Sequence, residues 1–246
     1  MPYVSVAEEQ LPKIESFNYY KAEEGATVEF RLIYQGPLPA ERDDGRRESA
    51  RAWDKHKLRK HFHPQLRELW QQHPDLRRQA QTKFLRILAP PYGVRVEYAS
   101  SPDQMGAKTW IEHIADDHIT CNGNRFVPLV SEAGGFTCSL NILFLRRDNP
   151  GSLIRHGGDI DSRIKVLFDG LKMPKQVSEL GGWQVDADEN PFFVLLEDDK
   201  LVTNVTVTTD RLITPQKANE DANDVLLVTH VTVVNPGALF TGGRLV

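Results

Sequence analysis

The ten residues FTCSLNILFL, Phe136 to Leu145, constrain this chain more than any other stretch. They are apolar and β-favouring, they show no helical periodicity, and they fall well short of the roughly 20 residues needed to cross a bilayer. They therefore specify a strand, and their unbroken apolarity predicts one buried on both faces. Such a strand needs partners, and the rest of the chain supplies them. ATVEFRLIYQGPLP places Val28, Phe30 and Leu32 on one face of a strand that Gly36, Pro37 and Pro39 end. PFFVLLEDD, LVTNVTVTT and VLLVTHVTVV read as further strands near the C-terminal end.

Helices are marked by a different spacing. Ile160, Ile164, Leu167, Phe168 and Leu171 form an apolar stripe of period 3.6, which predicts a helix from about Asp161 to Lys172 closed by Gly170 and Pro174. From Ala50, the positions of Trp53, Leu58 and Phe62, then Leu66 and Leu69, predict a helical arm in which Pro64 starts a second helix. Residues 83–98 are expected to hold one or two strands around a Pro-Pro turn, 99–135 to be irregular, and 172–191 to form a long loop. The outline is a single α/β (α+β) domain over 1–246. Its mixed, largely antiparallel sheet has four or five strands, with helices packed on one side.

Charge is unevenly distributed. Residues 42–86 carry thirteen Lys/Arg against six Asp/Glu, a local excess of seven in a chain of net charge −4, so the remainder carries −11. A basic arm of this kind is either a grip for a polyanion or a solvated helix face. The acidic remainder offers a surface to a protein partner. Only two cysteines occur, Cys121 and Cys138, without metal-type spacing, and both are expected to be reduced packing residues. MPYVSVAEEQLPKIESF is acidic and has neither the basic start nor the apolar run of a signal peptide, so a cytoplasmic location and no membrane association are expected.

The carboxylates call for a chemical explanation. Asp159 and Asp161 stand two apart where the helix begins, and Glu197, Asp198 and Asp199 follow six residues of PFFVLL. A helix cap accounts for one aspartate but not for the set. Mutually repelling acids require open water or a cation, and hard oxygen donors of this kind suit Mg²⁺ or Mn²⁺. Lys165 lies one turn after Asp161 on nearly the same face, as a surface ion pair or as a cation for a phosphate. Arg146, Arg147, Arg155, His156 and Arg163 surround the first pair of acids, and a loop of that composition is either solvated or placed to touch phosphates. Trp183 serves either a base-stacking or interface role or the packing of its loop. DADEN, residues 186–190, lacks the glycine and terminal glutamate of a calcium loop, and EHIADDH is not a zinc helix.

The stretch G-D-I-D-S-R-I-K-V-L-F-D-G-L, followed by E-D-D-K-L-V and a strand, resembles the RusA-type Holliday-junction resolvases. Their signature is D-x-D-N-x-x-K-x-x-x-D-x-L and then D-D-x-x-V. The resemblance is strongest over 136–208 and extends to the order of elements. Ser162 stands where the family usually has Asn, Leu201 replaces a common Gln, and the loop at 172–191 and the N-terminal region are insertions. The resemblance implies a RusA-like α/β fold and a homodimer that cuts branched DNA with Mg²⁺. It implies metal ligands at Asp159, Asp161 and Asp199, a supporting catalytic acid at Asp198 and a catalytic lysine at Lys165. Asp169 matches an acid that makes a structural contact. Lys55, Arg59 and Lys60 of the basic arm, with Arg146, Arg147, Arg155, His156 and Arg163, are then expected on the DNA backbone. Two other readings share these residues: a non-cleaving RusA-like module that binds DNA or protein, and a metal-dependent nuclease for flaps or RNA.

Overall fold

A computed structural model describes residues 28–40, 47–88, 94–101, 103–120, 122–147, 160–213 and 224–234, and the description below concerns these. The central sheet has four strands: β1 (Val28–Pro37), β6 (Thr137–Arg146), β8 (Val202–Arg211) and β9 (Asp224–Val234). Their order is β1-β9-β6-β8; β9 pairs antiparallel with β1 and β6, and β6 pairs parallel with β8, so the sheet is mixed. Two smaller sheets stand apart. One joins β2 (Lys83–Leu88) to β3 (Val94–Tyr98) and to the two-residue β4 (Lys108–Thr109), all antiparallel. The other pairs β5 (Phe126–Val130) with β7 (Phe192–Leu196) in parallel.

Four α-helices accompany them among the described residues: α1 (Glu48–Gln72), α2 (Pro74–Gln81), α3 (Trp110–Asp117) and α4 (Ile160–Leu171). The mixed α/β expectation holds at this level, and the α4 boundaries agree with the apolar stripe to within a residue. Residues on alternate positions of the sheet strands, Leu32, Leu140, Ile142, Phe144, Leu227 and Val231, join Leu58 and Phe62 of α1 and Val166 and Leu167 of α4 in one core.

Several expectations are corrected. The helical arm does not restart at Pro64; α1 runs through it, and the break comes at His73, with Pro74 opening α2. A proline inside a helix costs about 3 kcal/mol, but Leu58, Phe62, Leu66 and Trp70 are each 2 % exposed or less, and burying each contributes about 1.5–3 kcal/mol, which outweighs that cost. β6 is not buried on both faces: its odd-numbered residues are half-buried or exposed, whereas the even-numbered Leu140, Ile142 and Phe144 pack in the core with α1 and α4. β7 does not join the central sheet. Region 99–135 is not irregular, since it holds β4, α3 and β5. Thr109 caps α3 by accepting from the Glu112 amide, and Glu112 accepts from the Thr109 amide in return, at 2.7 Å. The segment after α4 is an ordered layer and not a plain loop. It includes a 3-10 turn (Val177–Leu180), and Leu180 and Trp183 form a second apolar cluster with Phe126, Phe192 and Val194. No helix among the described residues is long and apolar enough to cross a membrane.

Candidate active site

Helix α4 carries Asp161, Arg163 and Lys165, and its seating decides which of them meet solvent. Gly170 lets it approach α1 closely: a Cβ there would lie 2.6 Å from Leu58 Cβ. Val166, Leu167 and Leu171 are buried beside this contact. Arg163 is also buried and donates to the Leu38 carbonyl, which ties the start of α4 to the segment after β1. That leaves Asp161 and Lys165 as the only exposed residues of the helix, one turn apart.

At the far end of α4 the acids are neutralised by lysines. Asp169 accepts from Lys55 at 2.7 Å and from Lys172 at 2.9 Å, and Lys172 also reaches Asp199 at 3.2 Å. Burial by itself would raise the Asp169 pKa, but the two ammonium groups hold it below the usual carboxylate range. Burial likewise opposes the charge on Lys172, yet Asp169 and Asp199 keep its pKa above the ordinary value. Asp198 is paired with Lys175 and accepts from the Lys200 amide at 3.1 Å, capping a short 3-10 turn (Asp199–Leu201). The Lys175 contact first, then that amide, push the Asp198 carboxyl well below its usual range.

The Asp198–Asp199 turn is held from two sides. The Met173 amide donates to the Leu196 carbonyl at 2.8 Å, fastening the turn to the end of α4, and the Glu197 amide donates to the Val130 carbonyl at 2.9 Å. The Glu197 side chain accepts from the Glu132 amide at 2.8 Å and lies 3.7 Å from His118 Nε2. Lys200 pairs with Glu132. At 1.5 Å per residue, Asp161 and Lys172 stand about 16 Å apart along the helix. The structure therefore sets Asp161 and Lys165 at one end of α4 and Asp198, Asp199 and Asp169 at the other. Asp159, Arg155 and His156 lie outside the described residues.

Among the described residues no group of three or more His, Cys, Asp or Glu could hold a metal ion. Asp161, Asp198 and Asp199 as placed do not fit a closed ion site, since the last two are satisfied by lysines. The cations that the acid-rich sequence calls for are, at this end, Lys172 and Lys175. Sequence reasoning passed over both, although LKMPK lies directly between the helix and the second acid cluster.

The residues expected on the DNA backbone divide in the same way. Arg59 is 1 % exposed and donates to the carbonyls of Lys172 at 2.9 Å and Glu179 at 3.0 Å. Arg146 and Arg163 are buried as well, and a buried guanidinium cannot meet a phosphate outside, so these three assignments are corrected. Lys55 is held by Asp169, and Lys60 contacts Asp186 at 2.6 Å and Glu189 at 3.0 Å. Arg147 is half-buried at the end of β6. The basic arm thus spends much of its charge on the acidic segment 179–189, and DADEN is its counter-surface. Trp183 is buried and donates to Glu189 at 3.0 Å, which resolves its role as packing. Cys138 is buried, with its thiol pushed up to about 12 by burial, which suits an inert core residue; Cys121 lies outside the described residues.

Comparison with protein-family models, with curated proteins and with solved structures found no match to this chain.

Proposed function

We propose that this protein is a divalent-metal-dependent endonuclease of RusA-like type that acts on branched DNA, Holliday junctions among them. The observation that carries the reading is the exposure pattern of α4, whose only exposed side chains are Asp161 and Lys165, directly after Asp159 in the chain. An acid and a lysine one turn apart at a helix start are the pair that the resolvase pattern requires. In this reading Asp159 and Asp161 are ligands for Mg²⁺ or Mn²⁺, whereas Asp199, expected as a third ligand, is held by Lys172 at the other end of α4 and does not reach the same ion as placed. Lys165 faces the phosphate, and Arg147, Arg155 and His156 follow the DNA backbone without reading bases. Asp198 supports the turn that carries Asp199. A homodimer matches the near two-fold symmetry of a junction.

A second reading is favoured by the lysine pairing of Asp169, Asp198 and Asp199: a RusA-like module that binds DNA or protein without cutting. Acids already neutralised by the chain's own lysines need no metal to explain their presence.

Cleavage of a labelled four-way junction separates the two. Linear duplex, flap, single-strand and RNA substrates serve as controls, each with Mg²⁺, Mn²⁺ or EDTA. The nuclease reading expects paired metal-dependent nicks on the junction, a loss of at least a hundredfold in rate with Asp161→Asn, and unchanged junction binding. Binding without cleavage of any substrate, in either metal, leaves the module reading. Preference for a flap or RNA keeps the chemistry and changes the substrate.

A further inference from the structure

The acidic loop after α4 neutralises two cations of α1, and it does so with acids held in unequal ways. Lys60 and Arg67 stand two turns apart on one edge of α1, about 10 Å along its axis. Lys60 contacts Asp186 at 2.6 Å and Glu189 at 3.0 Å. Arg67 donates to the Asp188 carbonyl at 3.1 Å and lies 3.6 Å from the Asp188 carboxylate. Glu189 is built into the fold: it is 6 % exposed and accepts from Trp183 Nε1 at 3.0 Å and from the Asp186 amide at 3.1 Å. The Asp186 and Asp188 side chains are instead 63 % and 70 % exposed, within the unbroken exposed run 184–188. Lys60 and Arg67 tie that run to α1. Exposed ion pairs of this kind are weak, are screened by salt and yield to a competing anion.

We propose that this loop is a built-in phosphate mimic and an autoinhibitory contact. The Asp186 and Asp188 carboxylates occupy the places where Lys60 and Arg67 receive phosphates of the DNA backbone, and DNA binds this edge of α1 by displacing them. The partners of Lys60 suit such an exchange. Its ammonium has three donors, so Glu189, fixed in the core, can keep it aimed while a phosphate replaces Asp186. The Arg67 guanidinium takes a phosphate as readily as a carboxylate. Both side chains are half-buried and reach solvent, unlike Arg59, so the exchange requires no movement of α1. The loop also sets a threshold. DNA that touches few cations does not displace it, whereas a substrate held at several points does.

The inference rests on the preceding reading only for DNA as the ligand. Its test reads binding and not cleavage, so a protein that binds without cutting leaves it intact. Affinity of the full chain for a labelled linear duplex is measured without divalent metal over a range of salt. Asp186→Asn combined with Asp188→Asn should tighten binding about tenfold at low salt and steepen the fall of log K with log salt by about one to two, because two cations return to phosphates. Both acids are exposed, so the variant keeps its fold, which circular dichroism checks. Glu29→Gln with Asp210→Asn removes the same charge from exposed positions of the central sheet and should gain much less. Adding Lys60→Gln and Arg67→Gln to the loop variant should cancel its gain. In the native chain, amide hydrogen exchange across 184–190 should quicken when saturating duplex is added, as the loop leaves α1. A gain no larger than that of the sheet variant overturns the proposal, as does a gain that survives the loss of Lys60 and Arg67. So does loop exchange that duplex leaves unchanged or slows, or a loop variant that does not bind DNA.

Discussion

His56 is fully buried, its ring 4.6 Å from Trp183 and 5.7 Å from both Trp53 and Phe192. Burial first, then the charges of Arg59 and Lys60, lower its pKa to about 3. An unfolded histidine titrates near 6.5, so below that pH the unfolded chain takes up a proton that the folded chain refuses. Stability is then lost as pH falls through about 6.5, by roughly 1.4 kcal/mol per unit until the folded value is reached. His63 acts in the same sense: burial lowers its pKa, and its Nδ1 accepts from the Phe193 amide at 2.9 Å. Between pH 7.5 and 5.5 urea denaturation should show a loss of at least about 1.4 kcal/mol. His56→Phe, which fits among the aromatic rings, should remove that component, and an unchanged pH slope in the variant would contradict the assignment. Asp169 contributes the opposite window. Its lowered pKa adds stability above the unfolded carboxylate value near 4, which disappears in stronger acid.

At the scale of elements, α1 is the part against which the rest is assembled. Its buried face meets the central sheet and α4, Gln65 and His61 close the β1 edge, and Lys60 and Arg67 hold the acidic segment after α4. The closest contact is Gly170 on Leu58. Gly170→Ala improves helix propensity by up to about 1 kcal/mol, but it places a methyl against Leu58 Cβ, the rigid end of that side chain. The net change should be a loss of about 1–2 kcal/mol, measured by chemical denaturation. Combined with Leu58→Gly, which removes that Cβ, the same substitution should cost less than it does alone, because the methyl then enters vacated space. If the two effects simply add, the helices are not in contact at this point.

At the scale of the whole molecule, the homodimer proposed for a two-fold junction couples association to stability. The thermal midpoint should therefore rise with protein concentration, as mass action requires of a dimer. A midpoint independent of concentration in the native chain would argue for a folded monomer.

What the sequence determined by itself was local. The apolar stripe of α4, the strand character of β1, β6, β8 and β9, and the acid-lysine spacing at Asp161 and Lys165 depend on neighbours a few residues apart, where periodicity and propensity operate. The capping box at Thr109 and Glu112 was equally local and marks a helix that lies within the segment expected to be irregular. Tertiary structure alone decided which face of β6 is covered, that β7 pairs with β5, and that α1 passes through Pro64. It also decided that Arg59, Arg146 and Arg163 are buried, and that Asp169, Asp198 and Asp199 find lysines at one end of α4 while Asp161 stands at the other. Each of these is set by contacts between residues distant in the chain, where burial and ion pairing outweigh local preference.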